Sequence, residues 1–566
     1  MQPLLSVQNL TLTFAGKESP ALSSVSFDIF PGEVLGIAGE SGSGKSLSSM
    51  AIMGILPPNA IVSKESKIIF HSSSGVIDLL ASTEAVKQKI RGKEAGMIFQ
   101  EPMTSLNPVI QCGKQVAEVL EIHQSLSKTE SREKVIELFE KVKLPRPGEL
   151  FKAWPHQLSG GQKQRVMIAM AIACKPSLLI ADEPTTALDV TVQSAVISLL
   201  DELRKEMNMS VLFISHDLGL MAGFADRVNI LYKGKLIESG SSGQVFKAPS
   251  QPYTRGLLAS LPRGNRPKKL PTVSDFIPGP PSPDLLQNEN PTTRLQRLNT
   301  IFQAPEIIEI KNITVAYGKN KHLFKAIDDV SFNIHEGESL GLVGESGSGK
   351  STIGRAILGL TELKAGEILL RGSSLGQQWK SNSKNLRRKM QMVFQDPYSS
   401  LNPGMKIGDA LLEPMIVHGL SGNAADRKEK AFYLLKKTGL HEDAFHKYPH
   451  EFSGGQRQRI VIARALALEP EFIILDESVS ALDVSVQAQI LNLLKDIRDE
   501  FKLTCLFISH DLSVIQYFCD RIAVLKSGKL IELQESDRLM HNPINDYTRS
   551  LIHAIPDRTN IFTITT

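Results

Sequence analysis

The same eight residues, GESGSGKS, stand at positions 39 to 46 and again at 344 to 351 of this 566-residue chain. Other landmarks return in the same order. FQEPMTSLNP (99 to 108) recurs as FQDPYSSLNP (394 to 403), PHQLSGGQKQR (155 to 165) as PHEFSGGQRQR (449 to 459), and LFISHDL at 212 to 218 and 506 to 512. A chain written twice is read as two similar domains rather than one large core. The offset between the copies is 305 at Lys45 and Lys350 and 294 from the SGGQ segments onward, so the first copy carries extra length, most of it between about residues 57 and 95. Between the copies, residues 262 to 291 hold eight prolines, a density that rules out regular helix or interior strand. These observations predict domains at 1–261 and 306–566 joined by a proline-rich linker at 262–305. Extended at roughly 3 Å per residue, such a linker can reach across a protein of this size.

Composition removes several function classes. Lys plus Arg is 64 against 60 for Asp plus Glu, a net charge of only +4, so no strongly basic surface for nucleic acid follows. The longest apolar run, VMIAMAIAC at 166 to 174, has nine residues, whereas a bilayer-spanning helix needs roughly 20. The first residues, MQPLLSVQNL, lack the basic segment and apolar stretch of a secretory leader, which makes the cytosol the expected compartment. Cys112, Cys174, Cys505 and Cys519 show no metal-ligand spacing and read as buried thiols.

Each copy begins with alternating residues (NLTLTF, 9 to 14; NITVAY, 312 to 317) and then an apolar run (VLGIAG, 34 to 39; SLGLVG, 339 to 344) feeding the glycine loop, with helix-forming residues after it. Strand, glycine loop and helix is the context a phosphate-binding loop requires. The loops are Gly39, Glu40, Ser41, Gly42, Ser43, Gly44, Lys45 and Ser46, and Gly344, Glu345, Ser346, Gly347, Ser348, Gly349, Lys350 and Ser351. Their glycines let backbone N–H groups close around phosphates, Lys45 and Lys350 add point charges, and Ser46 and Ser351 offer hydroxyls to Mg²⁺.

LLIADE (178 to 183) and FIILDE (472 to 477) read as buried parallel strands that present two acidic side chains at their carboxyl ends. Asp182 and Asp476 are placed to support Mg²⁺, and Glu183 and Glu477 to polarise an attacking water as general bases. Gln100 and Gln395 could reach the metal and the water through a neutral amide, and His216 and His510, each 33 residues after its Glu, could contact the γ-phosphate. Ser159, Gly160, Gly161 and Gln162, with Ser453, Gly454, Gly455 and Gln456, open helix-forming stretches and make a second anion cradle. Phe14 and Tyr317 end the first strands; stacking on adenine and packing as core aromatics are the two readings.

Taken together, these motifs resemble those of ATP-binding cassette (ABC) ATPases over the whole chain except the linker. The resemblance implies an α/β fold of two tandem P-loop cassettes, each with a mostly parallel core sheet, an antiparallel β subdomain and a helical subdomain. It implies Walker A loops at 39 to 46 and 344 to 351, Walker B strands at 178 to 182 and 472 to 476, and D-loops at 187 to 189 and 481 to 483. In that family two cassettes sandwich two ATP molecules head to tail, which would pair Lys45 with Ser453 and Lys350 with Ser159. The Gln-loop segments and the tails QPYTRGLLASLP (251 to 262) and DYTRSLIHAIP (546 to 556) are similar to oligopeptide and dipeptide importer ATPases, here fused as in microcin C-type peptide importers.

That likeness implies ATP hydrolysis driving uptake of peptides through two separate membrane permease subunits, fed by an extracytoplasmic binding protein. The chain would be peripheral at the cytoplasmic face of the inner membrane and would touch neither the peptide nor nucleic acid. Segments 101 to 112 and 396 to 407 would line the groove for the permease. Many relatives carry a cysteine cluster for an iron-sulfur centre after the first tail; residues 262 to 305 contain no Cys, so ATP and Mg²⁺ are the expected cofactors and no iron-sulfur cluster is. The second copy reads DESVSALD, with Ser478 where the first has Pro184. A tandem ABC protein acting on ribosomes or DNA would carry a long charged helix between its domains or a module inside a cassette. Only 119 residues separate Gly39 from Leu158 and 108 separate Gly344 from Phe452, which leaves no room for the latter. A regulator without turnover is opposed by Glu183 and Glu477.

Overall fold

The computed structural model describes residues 2–100, 105–185, 188–262, 266–277, 279, 281–318, 324–420, 422–480 and 482–555, and all structural statements concern these. Ala187 and Ala481 of the expected D-loops, the first four residues of the 101 to 112 segment, and the end of the second domain from 556 onward lie outside them. Backbone contacts divide the chain into one unit of Met1–Leu258 with Phe276–Gly279, and a second of Ala259–Asp275 with Pro280–Ile555.

In the first unit a six-stranded sheet runs in the order Lys235–Ser241, Arg227–Tyr232, Val34–Ala38, Ser210–Ile214, Leu178–Asp182, Ala95–Ile98. Every neighbouring pair is parallel except the antiparallel edge hairpin of Arg227–Tyr232 and Lys235–Ser241. Val34–Ala38, Leu178–Asp182 and Ser210–Ile214 are buried at every position, which is why they read as unbroken apolar runs rather than alternating ones. A second, antiparallel sheet is built on Leu5–Phe14, which pairs with Leu22–Ile29, Lys67–Ser72 and Ala60–Val62. Its inner face, with Leu5, Val7, Leu10 and Leu12, shares one core with Ile37, Ile180 and Ile214 of the parallel sheet. Part of the extra length of the first copy forms the strand Ala60–Val62, which has no counterpart among the described residues of the second unit, whereas the hairpin Lys67–Asp78 is matched there by Ala365–Ser374. Helices Cys112–Gln124 and Lys128–Lys141 form the helical subdomain and lead to the helix Gly160–Ile172.

The second unit repeats this plan: Met390–Val393, Phe472–Asp476, Thr504–Ile508, Ser339–Val343, Arg521–Lys526 and Lys529–Glu535 in one sheet, and an antiparallel sheet built on Glu306–Tyr317. Helices Ile407–His418 and Ala424–Lys437 precede Gly454–Leu466. The α/β architecture expected from the repeat is therefore present in each unit.

The stretch between the copies differs from the extended tether expected. Leu270 is fully buried in the core of the second unit. Its N–H donates to Asn492 Oδ1 at 2.9 Å and its carbonyl accepts from Asn492 Nδ2 at 2.7 Å. Residues Pro291–Gln303 form a helix whose first position is the last of the eight prolines, where a missing N–H costs nothing, and Asn290 caps it by accepting from the Thr292 N–H. Three arginines then tie this stretch down: Arg266 to Asp537 and Ser536, Arg294 to Glu535, and Arg297 to Asp520 at 2.6 and 3.2 Å.

Candidate functional site

Both glycine loops leave a buried strand end and enter a helix at Lys45 and Lys350, with Gly44 and Gly349 as left-handed N-caps. Gly39 has φ +149, and a Cβ there would lie 2.2 Å from the Leu231 carbonyl; Gly344, with φ +155, would meet Leu525 at the same distance. No other residue fits such a turn. The Lys45 ammonium is buried and donates to the carbonyls of Gly39 at 2.8 Å and Glu40 at 3.0 Å. Lys350 does the same to Gly344 at 2.7 Å and Glu345 at 2.8 Å.

Behind each loop the first helical hydroxyl meets a carboxylate from the neighbouring strand. Ser46 Oγ donates to Asp182 Oδ1 at 3.1 Å, and Ser351 Oγ to Asp476 Oδ1 at 2.9 Å. Burial pushes both carboxyl pKa values up; the serine hydrogen bonds oppose it and the adjacent Glu charge adds to it. A hydroxyl and a buried carboxylate are hard oxygen donors, the ligand type Mg²⁺ accepts alongside phosphate oxygens. The residues therefore fit that ion. The sequence reading missed Ser49, which donates to Asp182 Oδ2 at 3.1 Å from one turn beyond Ser46. Its spacing of three on one helix face was the available signal. The second unit has Gly354 there, where a Cβ would press on Ile474 and Ile508 at 3.3 Å.

One residue past each strand, Glu183 and Glu477 turn into the left-handed region at φ +49 and +47. For a non-glycine residue this costs of order 1 kcal/mol and persists only where the surroundings enforce it. Here the enforcing contact is the N–H of each Glu, which donates to Ile214 and Ile508 at 2.9 Å in both copies. The turn aims the carboxylates at the Gln and His of the expected set. Gln100 Nε2 donates to Glu183 Oε2 at 2.9 Å, and His216 Nδ1 stands 3.3 Å from the same oxygen. Gln395 Nε2 donates to Glu477 Oε2 at 2.6 Å, with His510 Nδ1 3.4 Å from Oε1. Burial pushes the Glu477 carboxyl up, but its bond to His510 and the charges of His510 and Lys350 outweigh that and hold it below the usual range. Burial likewise pushes His510 down, and Glu477 overrides it, so the imidazole titrates above its ordinary value. Asp217 and Asp511, next in sequence to the histidines, cap the following helices, accepting from Gly219 and Ser513 N–H groups at 2.8 Å.

Ser159 and Ser453 are exposed N-caps, each in a reciprocal capping box with Gln162 or Gln456. Gly161 and Gly455 lie against Val192 and Val486; a Cβ on Gly455 would stand 2.3 Å from the valine methyl. Tyr317 is 47% exposed and open to stacking, whereas Phe14 is half-buried against the first core. Each unit thus gathers the loop lysine, the Ser and Asp pair, and the Glu, Gln and His cluster.

The family described as ABC transporter matches residues 22–186 and 327–480, spanning both of these clusters up to their Glu residues. The chain belongs to this family. Both ABC cassettes also carry the region described as the oligopeptide/dipeptide transporter C-terminal region, at 237–282 and 531–561. The glutathione import ATP-binding proteins GsiA of Shigella boydii and Escherichia coli are each 42% identical to this ABC protein over 569 residues, covering 98% of this chain and 89% of theirs. A dimeric ATP-binding cassette solved in a post-hydrolysis state with ADP and phosphate is 32% identical; the match covers 40% of this chain and 98% of that one, with a TM-score of 0.38. As an ABC protein the chain is an ATP-hydrolysing, energy-coupling subunit of a transporter, and membrane-embedded partners are implied. Among the described residues no helix is long and apolar enough to cross a membrane.

Proposed function

We propose that this chain powers the import of peptide-like compounds, with one ATP-hydrolysing cluster in each cassette. In each cluster Glu183 or Glu477 takes the proton of the attacking water, Gln100 or Gln395 orients that carboxylate and the water, and His216 or His510 contacts the γ-phosphate. Lys45 and Lys350 hold the outer phosphates, the SGGQ loops at Ser159 and Ser453 supply further N–H donors, and Phe14 and Tyr317 stack on adenine. Ser46 with Asp182 and Gln100, and Ser351 with Asp476 and Gln395, would hold Mg²⁺, which when bound neutralises charge on the phosphate oxygens. The cassettes are taken as 1–261 and 306–566, joined by 262–305. The partners are two permease subunits and an extracytoplasmic binding protein, with the chain peripheral on the cytoplasmic face of the inner membrane.

One observation carries this reading: in both copies a backbone-strained Glu holds a Gln and a His on its carboxylate. The substrate class rests on the oligopeptide/dipeptide tail matched in both copies and on the GsiA relatives, whose named substrate, glutathione, is a tripeptide. Cells whose own copy is replaced by a Lys45→Ala and Lys350→Ala double variant should lose uptake of labelled glutathione and of labelled di- and tripeptides. Uptake of all three at the wild-type rate would overturn the proposal.

A further inference from the structure

Each cassette carries a short tail helix, Pro252–Ala259 after the edge strand of the first and Asp546–His553 after that of the second. Both helices deliver a tyrosine to the glycine loop of their own unit. The Glu40 N–H donates to the Tyr253 hydroxyl at 3.1 Å, and the Glu345 N–H to the Tyr547 hydroxyl at 3.4 Å. The peptide involved is the one the loop lysine grips from the other side. The carbonyl of the Gly39–Glu40 peptide accepts from Lys45 at 2.8 Å, and that of Gly344–Glu345 from Lys350 at 2.7 Å. A trans peptide points its C=O and N–H in opposite directions, so a hydroxyl that fixes the N–H also fixes the carbonyl and, through it, the resting place of the ammonium.

The tyrosines are themselves held in place. Tyr253 and Tyr547 are 3% and 9% exposed. The Tyr253 ring lies on Tyr232 with centroids 4.2 Å apart, and the Tyr547 ring has the ammonium of Lys526, the residue in the same place, at 4.4 Å. A carboxylate from the edge strand anchors the start of each tail helix. Glu238 accepts from the Ser250 N–H at 2.7 Å, the Gln251 N–H at 3.3 Å and the Thr254 hydroxyl. Glu532 accepts from the N–H groups of Ile544 at 2.8 Å and Asn545 at 3.0 Å. Edge strand, carboxylate, tail helix, tyrosine and loop peptide form one connected path, built twice with different ring partners.

We propose that Tyr253 and Tyr547 are positioning residues of the two nucleotide sites, setting the phosphate loop in the orientation that receives ATP. The inference rests on the nucleotide-site reading above and adds to it a tail that acts on affinity without touching nucleotide. Preorganised donors bind more tightly because less ordering is left to do on binding. The Tyr→Phe change keeps the ring and its packing and removes the hydroxyl that the loop N–H donates to.

The full-length chain is titrated with fluorescent methylanthraniloyl-ATP as wild type, as Tyr253→Phe with Tyr547→Phe, and as Glu238→Gln with Glu532→Gln. The tyrosine pair should raise Kd roughly two- to tenfold, the range of one lost hydrogen bond, with KM for ATP rising alike and kcat little changed. The glutamate pair should raise Kd in the same direction although it lies outside the loop. Wild-type Kd in the tyrosine variant overturns the proposal, as does a glutamate variant with a lowered Tm and an unchanged Kd. A wild-type chain that binds no nucleotide would instead refute the site reading itself.

Discussion

The Glu477 carboxylate is held by His510 and Gln395 at once: His510 Nδ1 stands 3.4 Å from Oε1, and the Gln395 amide donates to Oε2 at 2.6 Å. Two donors on one carboxylate stabilise its ionised form, in keeping with its lowered pKa. A glutamine at this position keeps the shape but cannot accept a proton, and its own NH₂ faces donors. Glu183→Gln combined with Glu477→Gln should therefore lower phosphate release by roughly 10²- to 10⁴-fold while the protein still binds ATP. Measured side by side, undiminished hydrolysis in the double variant removes these residues from the role of base.

The Arg297 to Asp520 pair makes the joining stretch a structural part of the second unit. Asp520 is 2% exposed and also accepts from the Ser339 N–H at 2.9 Å, where the strand that feeds the second glycine loop begins. In the first unit Asp226 serves the corresponding Val34 N–H at 2.8 Å. Removing the guanidinium leaves a buried carboxylate with fewer donors, a change that costs several kcal/mol when complete. Because Arg297 is itself only partly buried, Arg297→Ala should destabilise the second unit by about 2 kcal/mol, a fall of roughly 4 to 8 °C in its calorimetric transition. A transition unmoved within error would mean that the helix Pro291–Gln303 contributes nothing to that unit's stability.

Ser478 stands where the first copy has Pro184, and its hydroxyl is buried without a hydrogen-bond partner among the described residues. An unpaired buried hydroxyl is unfavourable, so its removal is neutral or better. Ser478→Ala should leave Tm unchanged or raise it, by up to about 1 kcal/mol of stability, with ATP turnover retained. A loss of more than that amount, or of turnover, would assign the hydroxyl a partner in the working protein.

The parallel strands were legible because strands buried on both faces leave continuous apolar runs such as LLIAD and FIILD, and the loops because their glycines are sterically required. The left-handed turn at Glu183 and Glu477 was not legible, since nothing in the residue type signals it; the Ile214 and Ile508 carbonyls that hold it lie about 30 residues on. The joining helix was missed for a related reason. Proline density dominated the reading of 262 to 291, while the partners that stabilise Arg294 and Arg297, Glu535 and Asp520, stand 241 and 223 residues away. The tail tyrosines recur visibly as YTR in both copies, but their contact with the loop, 213 residues distant in the first copy, is a property of the fold.

Glu532 makes the second tail sensitive to acid. Burial pushes its carboxyl up, and the N–H groups of Ile544 and Asn545 overcome this and leave its pKa below the ordinary 4.5. A group depressed in the folded state stabilises it fully above the unfolded value, and that contribution is lost as pH falls through the folded value. The tail should therefore be secure at neutral pH and loosen only below about 4.5. Glu532→Gln removes the charge at every pH, so it should cost about 1 to 2 kcal/mol at pH 7, with the gap from wild type closing as the pH is lowered past that point. Thermal melts of both proteins across this interval decide the matter: a gap that is constant with pH, or that widens in acid, would show that the ionised carboxylate does not hold the helix Asp546–His553.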